Sequence, residues 1–255
     1  MNYRTTEPCE ELKDFVFRFW CAAWDEQIQH VQSTYFATAN SLTEIAFAYE
    51  GNKLNPELLF SSVQGHTCKH GQYPAGGFFE LFGVSLYSYA IPCLFNIPAS
   101  ALNDEFISLE TLLGDEGKTL TEKMAAAVPI NERISILTDY FKAKLAASRF
   151  NDKQIIKAVR QIRQCHGNIN IEELSQQCCY SHKQFTRRFR EHSGFNPKLF
   201  ARIVRFENTL NNYHNYPALT DAAYDYGYYD QAHFIRDFKT FTGYSPKKFL
   251  EVSGY

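Results

Sequence analysis

One stretch of this chain is written twice. SHKQFTRRFREHSGFNPKLF, residues 181–200, aligns without a gap on DQAHFIRDFKTFTGYSPKKF, residues 230–249. The copies share Phe185/Phe234, Arg187/Arg236, Phe189/Phe238, Gly194/Gly243, Pro197/Pro246, Lys198/Lys247 and Phe200/Phe249. Such a repeat makes each copy one supersecondary unit. Within a copy the first two phenylalanines are four residues apart, which puts both on one helical face, turned inward. Ser181 and Asp230 suit N-caps, and Ser181 with Gln184 predicts a capping box. Gly194 and Gly243 end the two helices.

A shorter helix precedes each copy: IEELSQQC (Ile171–Cys178) and LTDAAYDY (Leu219–Tyr226). Leu174 and Ser175 face inward in the first, Ala222 and Ala223 in the second. The turns fall at Cys179 and Gly227, the second turn being one residue longer. Helix, tight turn, capped helix is the helix-turn-helix plan. It occurs twice, joined by a long helix over about Pro197–Tyr213. Another helix, roughly Asp152–His166, puts Ile155, Ile156, Val159 and Ile162 on one face and ends at Gly167.

Residues 152–251 closely resemble the DNA-binding domain of the AraC family of bacterial transcription regulators. The family signature reads here AAYDYGYYDQAHFIRDFKTFTGYSPKKF. The first motif departs from the pattern at Cys179, where glycine is usual, and at Phe185, where leucine is usual. A left-handed turn at Cys179 is mildly strained. The resemblance implies that each recognition helix lies in a major groove of double-stranded DNA, the two grooves about 34 Å apart on one face. The base-reading candidates are Lys183, Thr186 and Arg187 in the first helix, and Gln231, Ala232, Ile235 and Arg236 in the second. Arg grips guanine through two hydrogen bonds, Gln pairs with adenine, and Ala and Ile meet thymine methyls. Arg188, Lys198, Lys239 and Lys247 are the phosphate candidates. The first helix is the more basic and is expected to carry more of the specific polar contact. The second is moderated by Asp237. RNA polymerase is a further expected partner.

Charge supports a polyanion partner. Residues 151–255 hold 15 Lys and Arg against 10 Asp and Glu, a charge of +5; the remainder holds 11 against 18, or −7. A basic end on an acidic body points to an interaction surface. The N-terminus carries acids where a signal peptide needs a basic start, and Leu81–Leu102 is too interrupted to span a membrane. A cytoplasmic protein is expected, and seven scattered cysteines suit reduced thiols.

The fold class expected is a two-domain α+β chain: a β-rich sensory domain over 1–120, a helical dimerisation or linker region over 121–150, and the DNA-binding domain over 151–255. SLTEIAFAYEG puts Ile45, Phe47 and Tyr49 on one face by alternation. GGFFELFGVSLYSYAIP reads as a further pair of strands, and a small barrel or sandwich follows. The looser resemblance of this region is to the small β-barrel domain that precedes the module in that family. The Ile45 face is expected to line the interior, with Phe47 and Tyr49 as effector-binding candidates among aromatics that include Phe60, Phe78, Phe79, Phe82, Tyr87 and Tyr89. The stripe Ile130, Ile134, Leu137, Phe141 and Leu145 is expected to pack on the barrel or to form a homodimer seam, the latter favoured.

No cofactor or metal is expected. His66-x-Cys68-x-His70 sets three ligand types at alternate positions, but three ligands within five residues of one strand rarely converge. Cys178-Cys179 read as small packing residues. Catalytic signatures are absent from the sequence, and the chain is not expected to be an enzyme. The rival readings are a metal-dependent, cupin-like enzyme tethered to a DNA-binding domain and a non-specific nucleoid-binding protein. Only His30, His66 and His70 are available in residues 30–102 as histidine ligands.

Overall fold

The computed structural model describes residues 2–24, 33–52, 55–75, 79–148, 152–216 and 218–253. His30, Gly76-Gly77, Phe78 and the boundary expected at Phe150/Asn151 lie outside the described residues. The N-terminal part contains β1 (Asn2–Thr6), β2 (Val16–Trp24), β3 (Ser33–Ala37), β4 (Leu42–Asn52), β5 (Asn55–Gln64), β6 (Gly71–Ala75), β7 (Phe79–Tyr87) and β8 (Phe106–Ser108). Six strands form one antiparallel sheet in the order β1-β2-β7-β4-β5-β8, and β3 pairs with β6 in a separate ribbon. Helices α1 (Ala90–Phe95), α2 (Leu109–Leu113), α3 (Asp115–Ala126) and α4 (Ile130–Ala147) follow the strands.

Strand alternation sorts the sheet's two faces by size. Register pairs Ile45 with Val84 and Phe47 with Phe82. These residues, with Phe19, Tyr49 and Val63, join Leu120, Met124, Leu137 and Phe141 of the helices in one buried cluster. The opposite face carries Trp20, Ala22, Ala46, Ala48, Ser62, Gly83 and Ser85, mostly small or polar.

Two expectations change here, and the Phe47–Tyr49 face gains a helical cover. The segment 76–92 does not supply two strands: β7 ends at Tyr87 and α1 begins at Ala90. Pro92 lies in the first turn of α1, where its missing N–H has no intrahelical partner to lose. The stripe on α4 is not free to form a dimer seam. Leu137 and Phe141 are fully buried in the chain's own core, and Ile130, Ile134 and Leu145 pack against it. Phe47 and Tyr49 are fully buried beneath the helices. The Tyr49 hydroxyl donates to Met124 O at 3.1 Å and its ring lies 3.6 Å from the Arg133 guanidinium. The helices pack directly against this face, and both side chains lie in the buried cluster.

The C-terminal part is helical: α5 (Lys153–Gln164), α6 (Ile171–Gln177), α7 (His182–Ser193), α8 (Pro197–Asn212), α9 (Leu219–Asp225), α10 (Gln231–Thr242) and α11 (Pro246–Ser253). Each repeated feature does its expected work. Ser181 and Gln184 form the capping box of α7, and Asp230 caps α10 by accepting from His233 N at 2.6 Å. Gly194 and Gly243 are left-handed at φ 81° and 78°. Cys179 is left-handed too, at φ 57°, so the first turn keeps its geometry without glycine. Phe185, Phe189, Phe200, Phe206, Phe234, Phe238, Phe241 and Phe249 are all fully buried in one core.

The two parts share packing. Ala39 and Tyr89 belong to the C-terminal core cluster. Ala39 N donates to Phe241 O at 3.0 Å. Ser41 donates from N and from Oγ to the Glu207 carboxylate, both at 2.7 Å, and its Oγ accepts from Arg163 Nη1 at 2.5 Å. His66 is fully buried between the parts. Its ring stands edge-on to Phe195 at 4.9 Å and bonds to Asn103 Oδ1, while Asn103 Nδ2 donates to Gly194 O at 2.6 Å.

Burial lowers the His66 pKa to about 4 from an ordinary 6.5, against the opposing pull of Asn103 and Asp104. A base held neutral when folded and free to protonate when unfolded binds more protons in the unfolded state below pH 6.5. Its contribution is therefore complete above about pH 6.5 and declines as pH falls towards 4, by about 3 kcal/mol in all. Burial lowers His192 as well, so the comparison must be between wild type and His66→Asn. Denaturation midpoints of the two should converge as pH falls from 7 to 4. Parallel curves over that range would show that His66 is not the titrating group.

Candidate nucleic-acid interface

The buried phenylalanines orient each recognition helix, so its other face is settled by helical geometry. On α7, Lys183 and Arg187 are exposed and Thr186 is half-buried. Arg187 reaches Glu191 at 3.1 Å, an exposed pair one helical turn on. Such a pair is worth little in water and yields readily to a stronger anion. On α10, Gln231, Ala232 and Arg236 are exposed, and Ile235 is half-buried against the core. Lys198, Lys239 and Lys247 are all exposed.

A cleft of about 520 Å³ runs between the two motifs, lined by His182 of α7, Lys198, Arg202 and Arg205 of α8, and His233 of α10. Glu172 lines it too, and Arg202 is already paired with Asp237, so Lys198 and Arg205 are the cations left to meet a phosphodiester backbone there. Arg205 is held by its bond to Gly167 O at 3.0 Å and lies over the Tyr228 ring.

One sequence expectation changes at this surface, that for Asp237, and a phosphate candidate, Arg188, gains a structural partner. Arg188 is held within the domain. Its Nη1 pairs with Asp152 Oδ2 at 2.8 Å and its guanidinium stacks on Tyr180, so it ties α7 to the start of α5. Asp237 does not moderate the exposed face of α10, because it points inward and is 1% exposed. Arg202 grips it with two bonds, Nη2 to Oδ1 at 2.6 Å and Nε to Oδ2 at 3.3 Å. That fork fixes α10 against α8 and hence against the first motif. Sequence reasoning missed Arg202, since a lone arginine on a linking helix carries no local signal. His66 and His70 do not converge on a metal; His70 lies instead beside Gly243. Among the described residues no group of three or more His, Cys, Asp or Glu could hold one.

Residues 174–251 match a family model described as a helix-turn-helix domain. This part of the chain is an AraC-type helix-turn-helix DNA-binding domain. The match begins within α6 and runs through the rest of the first motif, α8 and the second motif. Residues 4–108 match a separate model described as a domain of unknown function, DUF6597. No curated protein sequence matches the chain. Among solved structures, ToxT from Vibrio cholerae O395 matches at 8% identity and TM-score 0.49, over 93% of this chain and 99% of that one. The same protein bound to (E)-4-(8-methylnaphthalen-1-yl)but-3-enoic acid matches at 11% identity and TM-score 0.48, over 99% and 100%. Wild-type ToxT from Vibrio cholerae strain SCE256 bound to an unsaturated fatty acid matches at 8% and 0.47, over 93% and 96%. Among the described residues no helix is long and apolar enough to cross a membrane.

Proposed function

We propose that this regulator reads a specific DNA sequence by laying α7 and α10 in two successive major grooves. The observation that carries the reading is the pairing of Arg187 and Arg236. They occupy equivalent positions in a repeat whose other shared side chains are mostly buried, and both are exposed. Conserving a fold needs the phenylalanines and glycines; it does not need an exposed arginine at the same place twice. Lys183 and Thr186 flank Arg187, and Gln231, Ala232 and Ile235 flank Arg236. Lys198, Lys239 and Lys247 supply phosphate contacts around them.

Arg187→Ala should weaken binding to a site selected from random duplexes by about 1–3 kcal/mol, and binding to unrelated DNA by less. Equal losses on both DNAs would reassign Arg187 to a phosphate. Footprinting should show two protected major grooves on one face; a nucleoid-coating protein would instead protect DNA uniformly.

We infer that effector control, if sought in the N-terminal domain, belongs to the sheet face opposite Phe47 and Tyr49. Trp20 is about nine-tenths buried there, yet its Nε1 lacks a hydrogen-bond partner, as do Arg18 Nε and Ser62 Oγ. Unpartnered buried polar atoms are costly in a folded protein. Beside them Ala22, Ala46 and Ala48 are small, and the Trp20 ring lies directly over Gly83. Desolvation raises the Glu44 carboxyl, which accepts from Ser85 Oγ at 3.0 Å. Two donors beside a carboxyl suit a small polar molecule carrying both an acceptor and a hydroxyl. A metabolite screen should find a ligand adding roughly 2.7 kcal/mol of stability at 100 times its Kd. Trp20→Ala should abolish that shift, and Phe47→Leu should retain it. The opposite pattern returns the site to the Phe47 face.

A further inference from the structure

Arg188 of the first recognition helix and Asp237 of the second stand at one position of the repeat, next to Arg187 and Arg236 respectively. The repeat keeps its phenylalanines and glycines, but here it reverses the charge. Each charge finds its opposite on the helix that precedes its own motif. Arg188 Nη1 meets Asp152 Oδ2 at 2.8 Å, at the N-cap of α5. Asp237 takes two bonds from Arg202 on α8, at 2.6 and 3.3 Å. One position of the repeated unit is therefore where a recognition helix is fastened to its framework helix. The opposed signs also forbid exchange: α10 on α5 would set Asp237 against Asp152, and α7 on α8 would set Arg188 against Arg202.

The two fastenings differ in reach. Arg188–Asp152 holds α7 within the first unit, whereas Arg202–Asp237 joins the second recognition helix to α8. The first unit's own grip on α8 leaves little play. A β-carbon placed on Gly167 would fall 2.1 Å from Ala201 O, so the two backbones are in close contact there. Arg205 Nη2 donates to Gly167 O at 3.0 Å, and His166 Nδ1 lies 3.0 Å from Asn208 Oδ1. On its other side α8 meets α10 through rings, with Phe206 against Phe238 and Phe241. Ring burial is non-directional, whereas a two-bond arginine–carboxylate fork fixes distance and angle together. Arg202 and Arg205 are three residues apart on one face of α8, so the grips on the two units come from neighbouring positions.

We propose that Arg202 and Asp237 are positioning residues that set which separation of the two DNA half-sites this protein accepts. The inference rests on the major-groove reading of α7 and α10. One base pair inserted between the half-sites moves the second by about 3.4 Å and turns it by about 35° around the DNA axis. To follow it, α10 must move relative to α7. Because α8 is locked to the first unit, that movement falls at the junction of α8 with α10. Bonds of 2.6 and 3.3 Å cannot stretch that far and hold. With the fork intact the second helix gives up its groove; without it the rings slide and both helices stay seated. The role needs no contact with DNA, and Asp237 is buried.

The test uses the full chain and a site that the wild type selects from random duplexes. Its Kd is compared with Kd for the same site carrying one base pair more or fewer between the two footprinted grooves. Wild type should lose at least about tenfold on either altered duplex, within the range set by a misplaced base contact. Two variants remove the fork in different ways, so that misfolding of one leaves the other. Arg202→Lys keeps the charge without the two-bond geometry. Arg202→Met with Asp237→Leu replaces the pair by apolar groups, a change that buried pairs often tolerate. In both, the loss on the altered duplexes should shrink to less than about threefold, as for two modules on a looser tether. A merely structural role would weaken all three duplexes alike, and an unchanged ratio in folded variants overturns the proposal. A wild type that binds all three spacings equally also overturns it. Arg187→Ala and Arg236→Ala on the selected site separate this from the parent reading. If either weakens binding while the ratio stays fixed, only the spacing role fails. If neither does, the major-groove reading fails first.

Discussion

Phe238→Ala is expected to destabilise the DNA-binding domain by about 3–5 kcal/mol. Phe238 is fully buried, and its ring meets Phe206 at 5.5 Å, Phe234 at 5.4 Å and Phe249 at 5.5 Å. Those partners lie on α8, α10 and α11, so no single helix can move to close the hole. The loss falls on the surface where α10 is seated, and its exposed side chains lose their aim along with the packing. Denaturant unfolding followed by far-ultraviolet dichroism measures the cost. Hydrogen exchange should show α10 and α11 losing protection first. Arg236→Ala, two residues away on the opposite face, should leave the unfolding midpoint within about 0.5 kcal/mol of wild type. A loss below about 1 kcal/mol for Phe238→Ala would mean that the core around α10 is loose enough to collapse.

Arg133→Ala should be comparably costly in the N-terminal domain. The guanidinium is fully buried. Its Nη1 pairs with Glu80 Oε1 at 2.5 Å, its Nε donates to Ala127 O at 2.9 Å, and its plane covers the Tyr49 ring. Removing one partner of a buried pair strands the other charge, which typically costs about 3–5 kcal/mol. Arg133→Met keeps most of the volume and should recover part of the loss. Glu80 is 18% exposed, which gives its carboxylate a route to water. The measurement is the urea midpoint at unchanged slope. If Arg133→Ala and Arg133→Met cost the same, packing volume contributes little there and the charge dominates.

These two sites differ in how visible they were in the sequence. Phe238 belongs to a repeat, and its inward direction follows from its four-residue spacing to Phe234. Arg133 stands in a helix whose apolar stripe was legible, but its own burial was not. Nothing near it in the chain says that an arginine will lie under a sheet, because its partner Glu80 is 53 residues away. The same reason explains why the cover over the Ile45 face was not legible. Alternation correctly grouped Ile45, Phe47 and Tyr49, and it correctly made them a buried face. Whether helices or a second layer of strands cover that face is a matter of chain path, which alternation does not encode. The stripe on α4 was likewise a true stripe with the wrong partner.

By itself, the sequence determined the double helix-turn-helix, its caps, its left-handed turns and the exposed residues at the start of each recognition helix. Those features depend on side chains within a few residues of one another, so period, capping chemistry and repetition suffice to locate them. Tertiary structure alone decided that Arg188 and Asp237 serve the domain's framework, that Arg202 ties its two motifs together, and that His66 and His70 rest on the ends of α7 and α10. Each of those contacts joins elements distant in the chain. Their free energy comes from burial and charge pairing that exist only once the elements have packed.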